Sequence, residues 1–109
     1  MILKDNPEMQ AELVRRLVEV YHPKLIYLFG SQAWGEPGQG SDIDVYVILE
    51  DSIESKTDRI RHGMYQLLDF HLPIDLLVVT EAEIADRKDH PSTLTHKIMA
   101  KGVQLYAAA

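Results

Sequence analysis

Between Phe29 and Glu50 the chain reads FGSQAWGEPGQGSDIDVYVILE, and this stretch constrains the fold more than any other. From Asp42 to Leu49 the side chains alternate: Ile43, Val45, Val47 and Leu49 share one face of a strand, and Asp42, Asp44, Tyr46 and Ile48 share the other. Residues i and i+2 of a strand project from the same face with Cα atoms roughly 6.6 Å apart, so Asp42 and Asp44 are held together. Two carboxylates that close repel each other unless a cation lies between them, and a divalent metal is the obvious candidate. Upstream, the apolar run from Lys24 to Phe29 predicts a short strand that ends in Gly30-Ser31. Glycine lets a backbone approach a phosphate closely, and a helix starting at Ser31 turns its free N–H groups toward it. Turn and acids together read as a metal-nucleotide site.

The remaining pattern predicts the frame around that site. Residues 6–20 suit an amphipathic helix with Met9, Leu13, Leu17 and Val20 on one stripe, Asp5 and Glu8 at capping-box spacing, and Pro7 in the first turn. Ser31 to Trp34 starts a short helix that Gly35 stops, and Glu36-Pro37-Gly38-Gln39-Gly40 is an open loop closed by Ser41. A second helix is expected over 55–70, with Ile60, Met64, Leu67 and Leu68 inward and Gly63 weakening it slightly. Residues 73–79 form a strand apolar on both faces, hence central. A helical turn over 81–87, a last helix opened by Pro91 and Ser92 with Leu94 and Ile98 inward and Gly102 as its C-cap, and a terminal strand over 103–106 complete the chain. No internal repeat, linker or second domain is visible, so residues 1–109 are expected to form one domain.

Composition narrows the function. A net charge of −6 opposes broad binding to duplex nucleic acid, which depends on phosphate neutralisation by Lys and Arg. No apolar run approaches the roughly 20 residues of a membrane span, and the N-terminus lacks the apolar core of a signal peptide. Without cysteine there is neither a disulfide framework nor a thiolate metal site, and a cytoplasmic location is expected. The five histidines show no metal-ligand spacing and are assigned to surface or packing.

Asp75 is the charge in the otherwise apolar strand 73–79, where it is costly unless paired or metal-bound. If that strand lies beside Asp42–Leu49, three carboxylates converge on one face. Short, stiff Asp side chains suit Mg²⁺, which demands near-octahedral oxygen geometry at about 2.0–2.1 Å. Two such ions roughly 3.5–4 Å apart activate an attacking oxygen and stabilise a leaving pyrophosphate. Ser31 is not expected to act as a covalent nucleophile, because no Ser-His-Asp pattern accompanies it.

Gly30-Ser31, ten residues, Asp42-x-Asp44 and a lone later Asp75 resemble the minimal nucleotidyltransferases of the polymerase-beta superfamily, in particular the stand-alone ones encoded beside a HEPN-domain partner. The resemblance covers nearly the whole chain. It implies an α+β fold, a small mixed sheet with helices packed mainly on one face. It implies Gly30 and Ser31 as the nucleotide-binding turn, Asp42 and Asp44 as the metal-binding pair, and Asp75 as a third carboxylate that helps deprotonate the incoming hydroxyl, with all three acids as the catalytic and metal-binding set. It also implies ATP as substrate, and transfer of AMP to a tyrosine of a HEPN-family ribonuclease toxin. Two departures stand out. Many relatives carry a basic residue where this chain has Gln32 or Trp34, so a phosphate contact is missing unless Lys56, Arg59 or Arg61 substitutes. A second, substrate-binding domain is not expected either, so a partner or another copy of the chain is expected to supply the acceptor. Two alternatives remain: a nucleotide-binding module that neutralises its partner by contact alone, and nucleotidylation of a small molecule.

Overall fold

The alternating stretch becomes the middle of the sheet. In the computed structural model, which describes residues 1–38 and 40–109, β1 (Leu25–Phe29) and β2 (Ile43–Leu49) pair antiparallel, with Phe29 opposite Asp44. On the other side of β2 lies β3 (Ile74–Thr80), parallel to it; β4 (Val103–Ala107) runs antiparallel to β1. The result is a four-stranded mixed sheet in the order β3-β2-β1-β4. Parallel neighbours need a long crossover, and α3 (Lys56–Gln66) supplies it between β2 and β3.

Helices α1 (Pro7–Tyr21) and α3 cover one face. Leu13 and Leu17 of α1 pack there on Ile26, Leu28, Val45 and Val47, the main core. Burial of each such aliphatic side chain contributes roughly 1.5–3 kcal/mol. The opposite face carries the shorter α4 (Glu81–Ile84) and α5 (Leu94–Lys101), whose Ile84 and Ile98 meet Tyr27, Tyr46 and Ile48 in a smaller cluster. The Tyr46 hydroxyl shares a hydrogen bond of 2.8 Å with Thr95. The α+β arrangement with its longer helices on one face is as the resemblance implies. No helix among the described residues is long and apolar enough to cross a membrane.

Several local expectations are corrected. β3 is an edge strand, not a central one: Ile74, Leu76 and Val78 are buried, whereas Asp75 and Leu77 are exposed. Its second apolar face lines an open groove, which the sequence cannot tell from a core. Helix 1 has Asn6 as its N-cap and no side-chain cap bond, because the 3₁₀ turn Leu3–Asp5 takes Asp5 out of position. Val20 is only half-buried, and Val14, Val18 and Tyr21 complete the stripe with Met9, Leu13 and Leu17. α3 stops at Gln66 and a separate 3₁₀ turn, Leu68–Phe70, rotates Leu68 out to 64% exposure. The turn expected over 81–87 is α4 alone, followed by a further 3₁₀ turn at Arg87–Asp89. α5 begins at Leu94, capped by Thr93, so that Thr95 and Ile98 point inward while Leu94 is 46% exposed. Gln39, in the expected open loop, lies outside the described residues.

Gly63 has a role beyond weakening a helix. A Cβ there would overlap the Tyr21 hydroxyl and crowd Leu76, so its absence lets α3 press against α1 and β3. Nearby, Arg59 is 4% exposed and forms a two-pronged ion pair with Glu83, both contacts at 2.8 Å. It also donates to the carbonyls of Val78 (3.1 Å) and Glu54 (3.2 Å), while Glu83 accepts from the Thr80 N–H at 2.9 Å. The pair thus occupies the outward backbone groups at the end of β3, which would otherwise be open to strand addition.

Candidate active site

The C-terminal end of β1 and the N-terminal ends of β2 and β3 meet at one place. Asp44 is opposite Phe29 across one strand pair and opposite Asp75 across the other. Asp42 precedes β2 by one residue on the same side. One carboxylate oxygen from each of Asp42, Asp44 and Asp75 lies within 4.8 Å of the others. The structure therefore brings together all three acids named from the sequence, and the parallel register of β2 and β3 is the reason.

Asp44 is half-buried, whereas Asp42 and Asp75 are exposed. Burial, then the charges of Asp75 and Asp42, raises the Asp44 carboxyl above its ordinary value. The exposure of Asp75 corrects one strand of reasoning: its charge is not forced on a dry interior, and it draws its significance from its two neighbours. The donor set is all oxygen, with no histidine joining it among the described residues. Such a set fits a hard divalent cation such as Mg²⁺.

Gly30 and Ser31 lie against these acids. Gly30 has φ 72° and ψ −154°, a region only glycine populates readily. A Cβ at this position would fall on the Asp44 carboxylate. Glycine is thus required twice, by backbone conformation and by contact. Helix α2 (Ser31–Trp34) follows at once, and the N–H groups of Ser31 and Gln32 have no intrahelical acceptor. We expect Gly30→Ala to lower stability by about 1–3 kcal/mol from backbone strain alone, a fall of roughly 5–15 °C in Tm. A thermal melt with and without Mg²⁺·ATP checks it, and an unchanged melting curve would refute the reading.

The residues weighed as phosphate contacts fall elsewhere. Gln32 is buried: its Oε1 accepts from the Leu3 N–H at 2.8 Å, and its Nε2 donates to the carbonyls of Met1 (2.8 Å) and Ser41 (3.3 Å). It braces the N-terminus against the loop that delivers Asp42. Trp34 packs beside the Phe29 ring, centroids 6.4 Å apart, rather than standing free. Lys56, Arg59 and Arg61 do not act as a cluster. Arg59 is consumed by Glu83, Arg61 pairs with Asp58 at 3.0 Å on the exposed face, and Lys56 lines a groove beyond Leu77. The cation that reaches α2 is one the sequence did not single out. Lys97 of α5 sits 4.6 Å from the centroid of the Trp34 ring. Lys97 is remote in sequence from the Gly30–Asp44 motif, so only the packing of α5 on the sheet could reveal it.

The fold is similar to a chain of a toxin–antitoxin complex containing AMP-PNP, with a TM-score of 0.66 and 22% identity over 91% of this chain and 73% of that one. It is also similar to a candidate nucleotidyltransferase from Sulfolobus solfataricus, with a TM-score of 0.65 and 19% identity over 97% and 86% of the two chains. A complex of a tri-AMPylated Shewanella oneidensis HEPN toxin with its MNT antitoxin gives a TM-score of 0.53 and 19% identity, over 91% and 73%. No curated protein matches the sequence significantly. Residues 12–109 match the family model of polymerase beta nucleotidyltransferases, and the chain belongs to that family.

Proposed function

We propose that residues 1–109 act as a single nucleotidyltransferase domain that moves AMP from ATP to a hydroxyl acceptor, a tyrosine of a HEPN-family ribonuclease. The convergence of Asp42, Asp44 and Asp75 beside the Gly30 turn carries this reading. The family membership supports the chemistry, and the likeness in fold to chains of toxin–antitoxin complexes, one holding AMP-PNP and one a tri-AMPylated HEPN toxin, supports the acceptor.

In this scheme Asp42 and Asp44, with Asp75 beside them, would hold divalent metal, and two ions are proposed. Bound metal would neutralise triphosphate charge and make the acceptor hydroxyl more acidic. The N–H groups of Ser31 and Gln32 and the Ser31 hydroxyl steady the phosphates. Asp75, at the exposed edge of the site, takes the acceptor proton as the hydroxyl oxygen bonds to the α-phosphorus. The bond between the α-phosphorus and its bridging oxygen to the β-phosphate breaks, and pyrophosphate leaves. The burden on the protein is positioning and charge balance.

A second reading keeps the fold but not the turnover: the protein neutralises its partner by contact. The buried, fully engaged Gln32 side chain favours it, since no basic side chain follows the turn directly. Incubation with Mg²⁺, ATP labelled at the α-phosphate and a co-expressed HEPN-family protein tests the first reading. Label on the partner is expected. Absence of label from partner, self and RNA, together with no ATP binding, would overturn it.

A further inference from the structure

The face of β3 that bears Asp75 continues past the acids into a groove. Leu77 follows Asp75 on that face, and a cavity of about 400 Å³ opens over it between Lys56 of α3 and the segment that carries Arg87 and Leu94. Leu77 and Leu94 are 36% and 46% exposed, so the floor is apolar and accessible. Lys56 and Arg87 stand at its sides, and neither side chain makes an ion pair or hydrogen bond among the described residues. Glu83, the acid that feels the Lys56 charge, is held by Arg59. In a chain of net charge −6, these two side chains place unpaired positive charge beside exposed leucines.

The occupant follows from that combination. A nucleoside lying here would cover the leucines but carry no charge, and would dehydrate two cations without pairing them. Its phosphates would have to leave the Gly30 turn to reach Lys56 and Arg87. An acidic stretch of polypeptide with an apolar or aromatic anchor meets both demands, placing the anchor on Leu77 and Leu94 and carboxylates on the cations. Because the groove runs on from Asp75, a chain seated in it would present its own hydroxyl to that carboxylate. We propose that this groove docks an acidic, apolar-anchored segment of the acceptor protein. The proposal rests on the role given to Asp75 above, but the docking surface can be tested apart from it.

The test is an ¹⁵N–¹H titration of the full chain with a capped peptide in which glutamates flank Leu-Tyr, beside a control peptide with lysines in their place. Saturable shifts at the amides of Leu77, Val79, Leu94 and Thr95 are expected with the acidic peptide. Affinity should fall about tenfold in K56E/R87E, the loss of roughly one favourable charge contact net of screening. The spectrum of the variant reports its own folding, and K56Q serves as a milder version expected to weaken binding in the same direction. Equal response to both peptides, no saturable response to the acidic one, or displacement of the peptide by Mg²⁺·AMP-PNP from these same amides would overturn the proposal. Shifts at Gly30 and Asp44 with Mg²⁺·AMP-PNP report separately on the nucleotide reading. Their failure with peptide binding retained would sink catalysis and leave the docking surface standing.

Discussion

Asp44→Asn is expected to reduce nucleotidyl transfer about a thousandfold or more while making the metal-free protein more stable. The first effect corresponds to losing several kcal/mol of charge stabilisation at the reacting phosphate. The second arises because the half-buried Asp44 carboxylate faces Asp75 and Asp42 with no cation between them. Its folded-state pKa is raised, so the penalty is present above that pKa and is relieved as pH falls through it. The stability of the metal-free wild type should therefore gain on the variant as pH is lowered through that window, and the difference between their urea midpoints measures it. Mg²⁺·ATP should raise the Tm of the wild type and leave that of Asp44→Asn unmoved. If the substitution instead destabilises the metal-free fold by more than about 1 kcal/mol, Asp44 is a structural hydrogen-bond acceptor. If transfer is lost but the partner is still neutralised, contact alone is the mode of action.

Arg59→Ala is expected to cost about 3 kcal/mol, the largest loss in stability of any charge substitution in the chain. The side chain is buried, and its removal leaves Glu83 without its partner and the Val78 and Glu54 carbonyls without their donor. Glu83 is held down to about 2 by this guanidinium, against an ordinary value of 4.5. A depressed carboxyl stabilises above its unfolded pKa, and that contribution disappears as pH falls from about 4.5 through about 2. The gap between wild type and Arg59→Met in urea denaturation should accordingly narrow across that interval. A double-mutant cycle with Glu83→Gln isolates the pair. A gap that does not vary with pH would mean that Arg59 acts through its packing and its carbonyl hydrogen bonds rather than through the ion pair.

Much of this was legible along the chain because it is local. Strand periodicity located β2 and placed Asp42 and Asp44 on the same side as Tyr46 and Ile48. The glycine-serine pair located the turn, and α2 spans Ser31–Trp34 as its residues suggested. What failed were inferences about what lies across from a residue. Six apolar residues among positions 73–79 made β3 read as central, yet Leu77 faces a groove rather than a core. Leu94 reads as an inward position on helical spacing, but a start one residue past the Thr93 cap turns Thr95 inward instead. Arg59 reads as a candidate phosphate contact, since the sequence holds no sign that Glu83, 24 residues away, lies beside it.

The sequence by itself determined the chemical inventory at the site: a glycine where the backbone must turn with positive φ, and carboxylates two residues apart on a strand. Both follow from bond geometry and side-chain period, which need no knowledge of distant neighbours. Only the tertiary structure decided that Asp75 completes the group, because its place depends on β3 pairing parallel to β2 in the register that sets it opposite Asp44. It likewise decided that Gln32 is a brace, that Lys97 reaches α2, and that Lys56 and Arg87 flank one groove. Those outcomes rest on packing between segments far apart in the chain, where burial and charge pairing select among contacts that local pattern leaves open.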